Sequence, residues 1–376
     1  MINLGNASVV LLAVAGLPLP QIHASEEASA PRTSRPLEIS GFVDLVYAYN
    51  FNRPADHANW FPGIGTSAKR DNELEINLAE IDLVMKPEPV GFHLAAGFGT
   101  SLDVVHGAEP TGVATSPETW RNLVRASIQY RQAAGAGLAV EAGVYPSHIG
   151  FEAFQTKDNW NYTRSWLGEL SPYYQTGVKV AVPLGERWST QVHLLNGWQV
   201  IADNNRGKTL GWQFAYGADK VSLSLNGIVG PELPDNDDDL RALFDTVAVW
   251  KATPAWTFAL SLDLGGQERP AGGEDRWAGV GAYTRRAPEG SRAACALRAE
   301  YYDDGDGAIS GTPQILKEVT ATLEIRAVDH LILKVEGRYD RSTAAVFAGN
   351  ALDPTGGPVR DQREQVLLLV GAVAAF

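Results

Sequence analysis

In the stretch Val366–Phe376 every second residue counted back from the last (Ala374, Ala372, Val370, Leu368 and Val366) is apolar, and the final residue is aromatic with no turn former beyond it. A strand written this way presents one continuous greasy face, while its backbone still needs a hydrogen-bonding neighbour on each side. The expectation is a last strand that pairs with the first and leaves no open edge, the form in which strands cross a bilayer.

The two-residue period runs through the rest of the chain from residue 39. Ile39–Asn50 sets Val43, Leu45, Tyr47 and Tyr49 against Ser40, Asp44 and Asn50, and Val90–Gly99 aligns Val90, Phe92, Leu94, Ala96 and Phe98. In Glu73–Lys86 the apolar set passes from Leu74, Ile76 and Leu78 to Ile81, Leu83 and Met85, a change of frame that predicts a bulge near Ala79-Glu80. About 16 such stretches of roughly 8–14 residues can be marked, long enough to cross a bilayer at a tilt. Leu138–Tyr145 and Arg241–Ala252 are the least regular.

The connections alternate in length. Short ones fall at 87–89, 132–137, 184–187, 218–220, 253–255, 287–291 and 327–330; long ones at 51–72, 101–120, 146–172, 198–208, 230–240, 266–276, 303–315 and 341–364. An even-stranded up-and-down barrel with both chain ends on the turn side requires this sorting, and a soluble sandwich does not. No fixed repeat period marks a solenoid.

Composition agrees. The hydrophobic fraction is 45% and mean hydropathy -0.13, an average that alternating strands produce without any apolar helix. A net charge of -13 argues against nucleic acid as a partner. The single Cys295 permits neither an internal disulfide nor a cysteine metal site, and its frame puts it on the lipid side. Residues 7–19 are apolar and Ile22-His23-Ala24-Ser25 follows, which predicts a signal peptide over 1–24, a periplasmic segment over 25–36 and a barrel over 37–376. The start of the chain departs from the usual pattern in having no Lys or Arg before residue 7. No nucleophile elbow, zinc-protease or phosphate-loop pattern occurs. The acidic runs Asp303-Asp304-Gly305-Asp306-Gly307 and Asn236-Asp237-Asp238-Asp239 lack the distal Glu of a calcium loop and read as solvated loops. The sequence gives no reason to expect a metal, a cofactor or a covalent step.

Several segments resemble one known family. They are Ser40-Gly41-Phe42-Val43-Asp44-Leu45-Val46-Tyr47-Ala48-Tyr49-Asn50-Phe51-Asn52-Arg53-Pro54, Lys157-Asp158-Asn159-Trp160-Asn161-Tyr162-Thr163-Arg164-Ser165, Asn196-Gly197-Trp198 and Leu243-Phe244-Asp245. Arg298-Ala299-Glu300-Tyr301-Tyr302-Asp303-Asp304 and Leu316-Lys317-Glu318-Val319-Thr320 complete the set. Together they resemble the OmpL-like β-barrel porins (type 2) of Gram-negative outer membranes, over nearly all of the chain beyond residue 40. The resemblance implies an integral outer-membrane barrel with short periplasmic turns and long extracellular loops. It also implies passive diffusion of small hydrophilic solutes or ions, and names no solute.

In such a barrel a Lys or Arg facing mid-membrane lipid costs ~2–4 kcal/mol, so the charged face of each strand must point inward. The candidate pore-lining residues are Asp44, Arg125, Gln129, Arg298, Glu300, Glu318, Glu324, Lys334, Glu336, Arg338 and Asp340. Arg125 and Gln129 oppose Val124 and Ile128 in this frame. Opposite charges at two-residue spacing point to ion pairs along the wall, which could serve stability alone or solute selection. The segment with Lys157, Asp158, Asn159, Trp160, Tyr162 and Arg164 is a candidate constriction if its loop folds inward, and otherwise an external loop. Trp188, Trp256, Trp277, Tyr49 and Tyr301 are candidates for the interfacial aromatic belts. The acidic balance gives an expectation of modest cation preference. Partners in this reading are outer-membrane lipid and lipopolysaccharide, the barrel assembly machinery through the strand ending in Phe376, small hydrophilic solutes, and further copies of the chain as in many porins. A closed structural or adhesin barrel and an outer-membrane enzyme are the rival readings.

Overall fold

The computed structural model describes residues 36–111, 115–133, 135 and 137–376. The expected signal peptide, and the segment after it up to residue 35, lie outside the described residues. Sixteen strands follow in order: β1 (Glu38–Asn50), β2 (Glu73–Met85), β3 (Val90–Phe98), β4 (Leu123–Arg131), β5 (Ala139–Pro146), β6 (Tyr174–Pro183), β7 (Trp188–Leu195) and β8 (Thr209–Gly217). Then come β9 (Val221–Pro231), β10 (Leu240–Lys251), β11 (Trp256–Glu268), β12 (Glu274–Arg286), β13 (Ala293–Asp304), β14 (Gln314–Val328), β15 (Leu331–Ser342) and β16 (Glu364–Ala375). Each pairs antiparallel with its neighbours in sequence, and β1 pairs with β16 from Phe42↔Ala375 to Asn50↔Leu367. The barrel is closed, so no ladder group is left facing outward. No helix among the described residues is long and apolar enough to cross a membrane.

The outer face carries the apolar residues the period assigned to it, including Val43, Tyr47, Ile128, Val192, Leu297, Val319 and Leu368, and the exposed Cys295. At the turn rim Trp188 packs on Phe214 and Tyr216, and Trp250 and Trp256 stack on Phe258. At the loop rim Tyr49 meets Phe51 edge-on. Two aromatic belts thus bound an apolar band. Trp277 is a correction: it points inward, is buried, and packs on Trp198.

Three further expectations shift. The extra residue of β2 is Asn77, because Asp44 pairs with Leu78 while Leu45 pairs with Ile76. The bulge therefore precedes Ala79, and Leu78 turns inward, 1% exposed, onto Leu102 of the short helix α1 (Thr100–Val105). A second bulge puts Val124 inside as well, since Ala95 pairs with Arg125 and Ala96 with Leu123. The connection expected over 266–276 shrinks to 269–273, because β11 and β12 extend past the apolar pattern as a hairpin.

The wall is uneven. β3 to β8 have 8–10 residues each, whereas β10 to β16 with β1 and β2 have 12–15. The packed core lies inside the barrel and is built largely from loops. Trp60, Phe61, Trp166, Leu167, Phe347 and Trp277 form one cluster, and Phe42, Leu78, Leu102, Val124, Tyr174 and Val373 another.

Candidate functional site

The 27 positions between β5 and β6, residues 147–173, fold into the lumen and include a short helix, α2 (Trp166–Glu169). Their docking is written in hydrogen bonds from neutral donors to carboxylates on the tall wall. Asp44 accepts from Thr156 Oγ1 at 2.7 Å, Tyr162 Oη at 2.8 Å and Asn77 Nδ2 at 2.9 Å. Glu336 accepts from the amides of Tyr162 and Thr163 at 2.5 and 2.9 Å and from Thr322 Oγ1 at 2.6 Å. Glu300 accepts from the amides of Trp166 and Leu167, both at 2.6 Å. A carboxylate can take several such donors at once, which is why single acidic residues suffice to pin whole turns of loop.

Two arginines complete the anchorage. Arg298 reaches Glu318 through Nε and Nη2 at 2.7 and 3.0 Å and Glu152 of the loop through Nη1 at 2.7 Å. Arg338 pairs with Asp340 at 2.8 Å and lies against both Trp60 and Trp166, 4.6 and 5.0 Å from their ring centres. Arg298, Glu318, Arg338 and Asp340 have fully buried side chains, 0% exposed. Lys334 donates to the carbonyls of Thr156 and Asn159 at 2.8 and 2.6 Å. Close packing of the loop requires small residues opposite: a Cβ on Gly371 would lie 2.3 Å from the Tyr162 ring, and one on Gly279 3.1 Å from Leu167.

The structure therefore separates the candidates. Asp44, Arg298, Glu300, Glu318, Glu336, Arg338, Asp340 and Lys334 face inward and are covered by, or bonded within, this loop assembly. Glu324 pairs with the partly exposed Arg285 at 2.9 Å nearer the turn rim. Arg125 and Gln129 sit on the short wall with Glu141, which pairs with Lys179 at 2.8 Å and also takes Arg125. There Arg125 and Lys179 remain 19% and 23% exposed, so water reaches them. Of the loop residues, Tyr162, Arg164 and Asn159 are buried, Arg164 lying over the Tyr173 ring. Trp160 is half-buried against Phe151. Lys157 and Asp158 pair at 2.8 Å and reach the turn-rim mouth, where a cavity of about 750 Å³ is shared with Arg292, Arg326, Asp329 and His330.

Sequence reading missed Glu141, Lys179, Glu152, Glu169, Asp263 and Arg241 as inward-facing charges. Glu141 and Lys179 sit at alternate positions of β5 and β6 and were within reach of the period rule. Glu152 and Glu169 lie in a loop, where no period exists. Asp245 and Asp263 face each other across β10 and β11, with Gly150 N 3.2 Å from Asp245 and Ser171 Oγ 2.9 Å from Asp263. Asp304, in the run that resembles a calcium loop, instead accepts from the amides of Ala308 and Ser310 at 2.8 and 2.7 Å. Among the described residues no group of three or more His, Cys, Asp or Glu side chains could hold a metal ion.

A closed antiparallel barrel with an apolar outer band, aromatic belts and a charged lumen crossed by one long loop defines a porin of the outer-membrane class. The chain belongs to the family described as "Putative beta-barrel porin-2, OmpL-like", whose model matches residues 36–376. It is an integral outer-membrane channel for passive diffusion, with its turn rim on the periplasmic side. Solved structures share the fold at low identity. An anion-selective porin from Comamonas acidovorans matches with a TM-score of 0.59 and 14% identity, over 91% of this chain and 99% of that one. The outer membrane channel DcaP of Acinetobacter baumannii gives 0.56 and 14%, over 90% and 97%. OmpT of Vibrio cholerae in a trimer form gives 0.56 and 8%, over 91% and 99%. No curated protein matches the chain in sequence.

Proposed function

We propose that the barrel is a loop-narrowed diffusion channel that favours cations and net-neutral solutes over anions. One observation carries this reading. Asp44, Glu169, Glu300, Glu336, Asp245 and Asp263 all face the interior, and among the described residues none has a Lys, Arg or His nitrogen within 4.0 Å. Where these carboxylates are ionised no cation cancels them, and a low-dielectric wall carries their field into the remaining water path; Asp245 and Asp263, side by side, act as one charge at most. On the short wall Glu141 faces two cations, so the bias is set mainly on the loop side. Arg125, Gln129, Glu324 and the tip residues Lys157 and Asp158 are proposed to meet solute directly. The other inward charges are proposed to act through the position of the loop.

The reversal potential in a salt gradient across a planar bilayer tests this. A sign indicating cation preference supports the reading and anion preference overturns it. A folded barrel without conductance would favour the closed structural reading instead, and turnover of a substrate by the purified barrel would favour an enzyme. The proposal includes export through a signal peptide over 1–24, recognition of the last strand by the assembly machinery, contact with lipopolysaccharide at the outer rim, and assembly with further copies of the chain. Phe376 supports the second of these: it is exposed on the outer face and exchanges backbone hydrogen bonds with Gly41.

A further inference from the structure

At the extracellular mouth the loops enclose a cavity of about 290 Å³, bordered by Phe61, Tyr173, Trp198, Glu169, Glu232 and Arg241. It is small, at the foot of the ~300–1,000 Å³ range of ligand pockets. Arg241, near the start of β10, stacks over the Trp198 ring at 5.4 Å and donates from Nε to Gln267 at 2.8 Å. Among the described residues no carboxylate lies within 4.0 Å of its guanidinium.

Other donors hold the two carboxylates at the cavity away from Arg241. Glu232 accepts from Trp198 N and Thr209 Oγ1, both at 2.6 Å. Glu169 accepts from Gly65 N at 2.9 Å, Thr66 Oγ1 at 2.6 Å and Tyr173 Oη at 3.1 Å. Arg241 thus presents a planar fork with its terminal donors unpaired, held in place by an aromatic face. Its natural complement is a carboxylate. A solute whose only charge is negative would add to the two acidic groups already there. One that also bears an ammonium would be compensated by them, with the rings of Phe61, Tyr173 and Trp198 bordering the space.

We propose that this vestibule is a binding site for a small zwitterion of the α-amino-acid class, its carboxylate on Arg241 and its ammonium toward Glu169, Glu232 and the aromatic rings. The proposal rests on the channel reading above only for its consequence in transport. Binding is therefore measured on the detergent-solubilised barrel, where ion preference plays no part.

The probes are leucine, leucinamide, which lacks the carboxylate, and N-acetylleucine, which lacks the ammonium. The readout is the change in intrinsic tryptophan fluorescence on titration, with Trp198→Phe to assign the signal. Leucine is expected to bind and each derivative to bind about tenfold more weakly or worse, since a charge-assisted hydrogen bond is lost. Arg241→Gln, checked for heat-modifiable mobility as a sign of folding, is expected to abolish leucine binding, and Arg241→Lys to restore part of it. Leucinamide binding as well as leucine would overturn the role of Arg241, and N-acetylleucine binding as well as leucine would overturn the zwitterion class. Leucine failing to bind the wild-type barrel would overturn the site itself. These results stand whether or not the barrel proves cation-selective in bilayers.

Discussion

The tall wall from β10 round to β2 and the short wall from β3 to β8 use similar side chains for different ends. On the tall wall, Arg298, Glu318, Arg338 and Asp340 are fully buried and bonded into an arrangement that includes the inward loop. On the short wall, Arg125, Glu141 and Lys179 form a comparable cluster that water still reaches. Burial decides what a charge can do. A desolvated pair has its energy locked into geometry, whereas a wetted pair remains available to passing ions.

The most severe break in this contrast is Arg298→Ala. Leaving Glu318 and Glu152 buried with a lost partner should cost ~3–5 kcal/mol, read as a lower thermal transition of the barrel in detergent. Arg125→Ala should cost about 1 kcal/mol or less while still changing ion preference toward cations. Equal losses for the two would erase the distinction between the walls. Glu336→Ala should come next. It releases the amides of Tyr162 and Thr163, and single-channel conductance should rise by about twofold or more as the loop loosens. Unchanged conductance would mean the loop does not set the width. Glu141→Gln should shift the reversal potential toward anions at a stability cost of about 1 kcal/mol, since Arg125 and Lys179 keep their access to water.

The smallest effect concerns pH. Burial holds the Glu232 carboxyl, in an extracellular loop, above the ordinary carboxylate range. A raised carboxyl favours the fold when protonated. Its contribution is therefore fully present below the unfolded-state value and is lost as pH rises through the folded-state value. Glu232→Gln should flatten that part of the stability–pH curve, and an unchanged slope would show that Glu232 is not its source.

How legible all this was in the sequence depended on what each face touches. From β13 to β16 one side of every strand meets lipid and the charged side cannot, so the alternation alone puts Arg298, Glu318 and Lys334 on the face that the structure turns inward. The rule failed where apolar side chains face inward. Leu78, Val124 and Trp277 were read as outward because nothing in their local pattern announces a helix or loop packed inside the barrel. The bulge of β2 was visible as a change of frame, but its place at Asn77 was not, since an inward Leu78 continues an outward-looking series. The loop charges Glu152 and Glu169 gave no periodic signal, and each has a partner more than a hundred positions away in sequence. The donor-rich composition of 157–165 was visible, but the choice between an external loop and an inward one was not. The inward choice rests on wall carboxylates and arginines far away in sequence and on room left by the glycines at 279 and 371, which only the folded neighbourhood explains.

Tyr162 packs at once on Val46 and Ala48 of the first strand and on Leu369 of the last, while its hydroxyl holds Asp44. It straddles the seam where the two ends of the sheet meet. The segment that narrows the passage is therefore also a rivet across the join, and the cylinder cannot be zipped shut and its bore left wide as two separate acts. Any change that frees this ring should weaken the seam as well as open the way through.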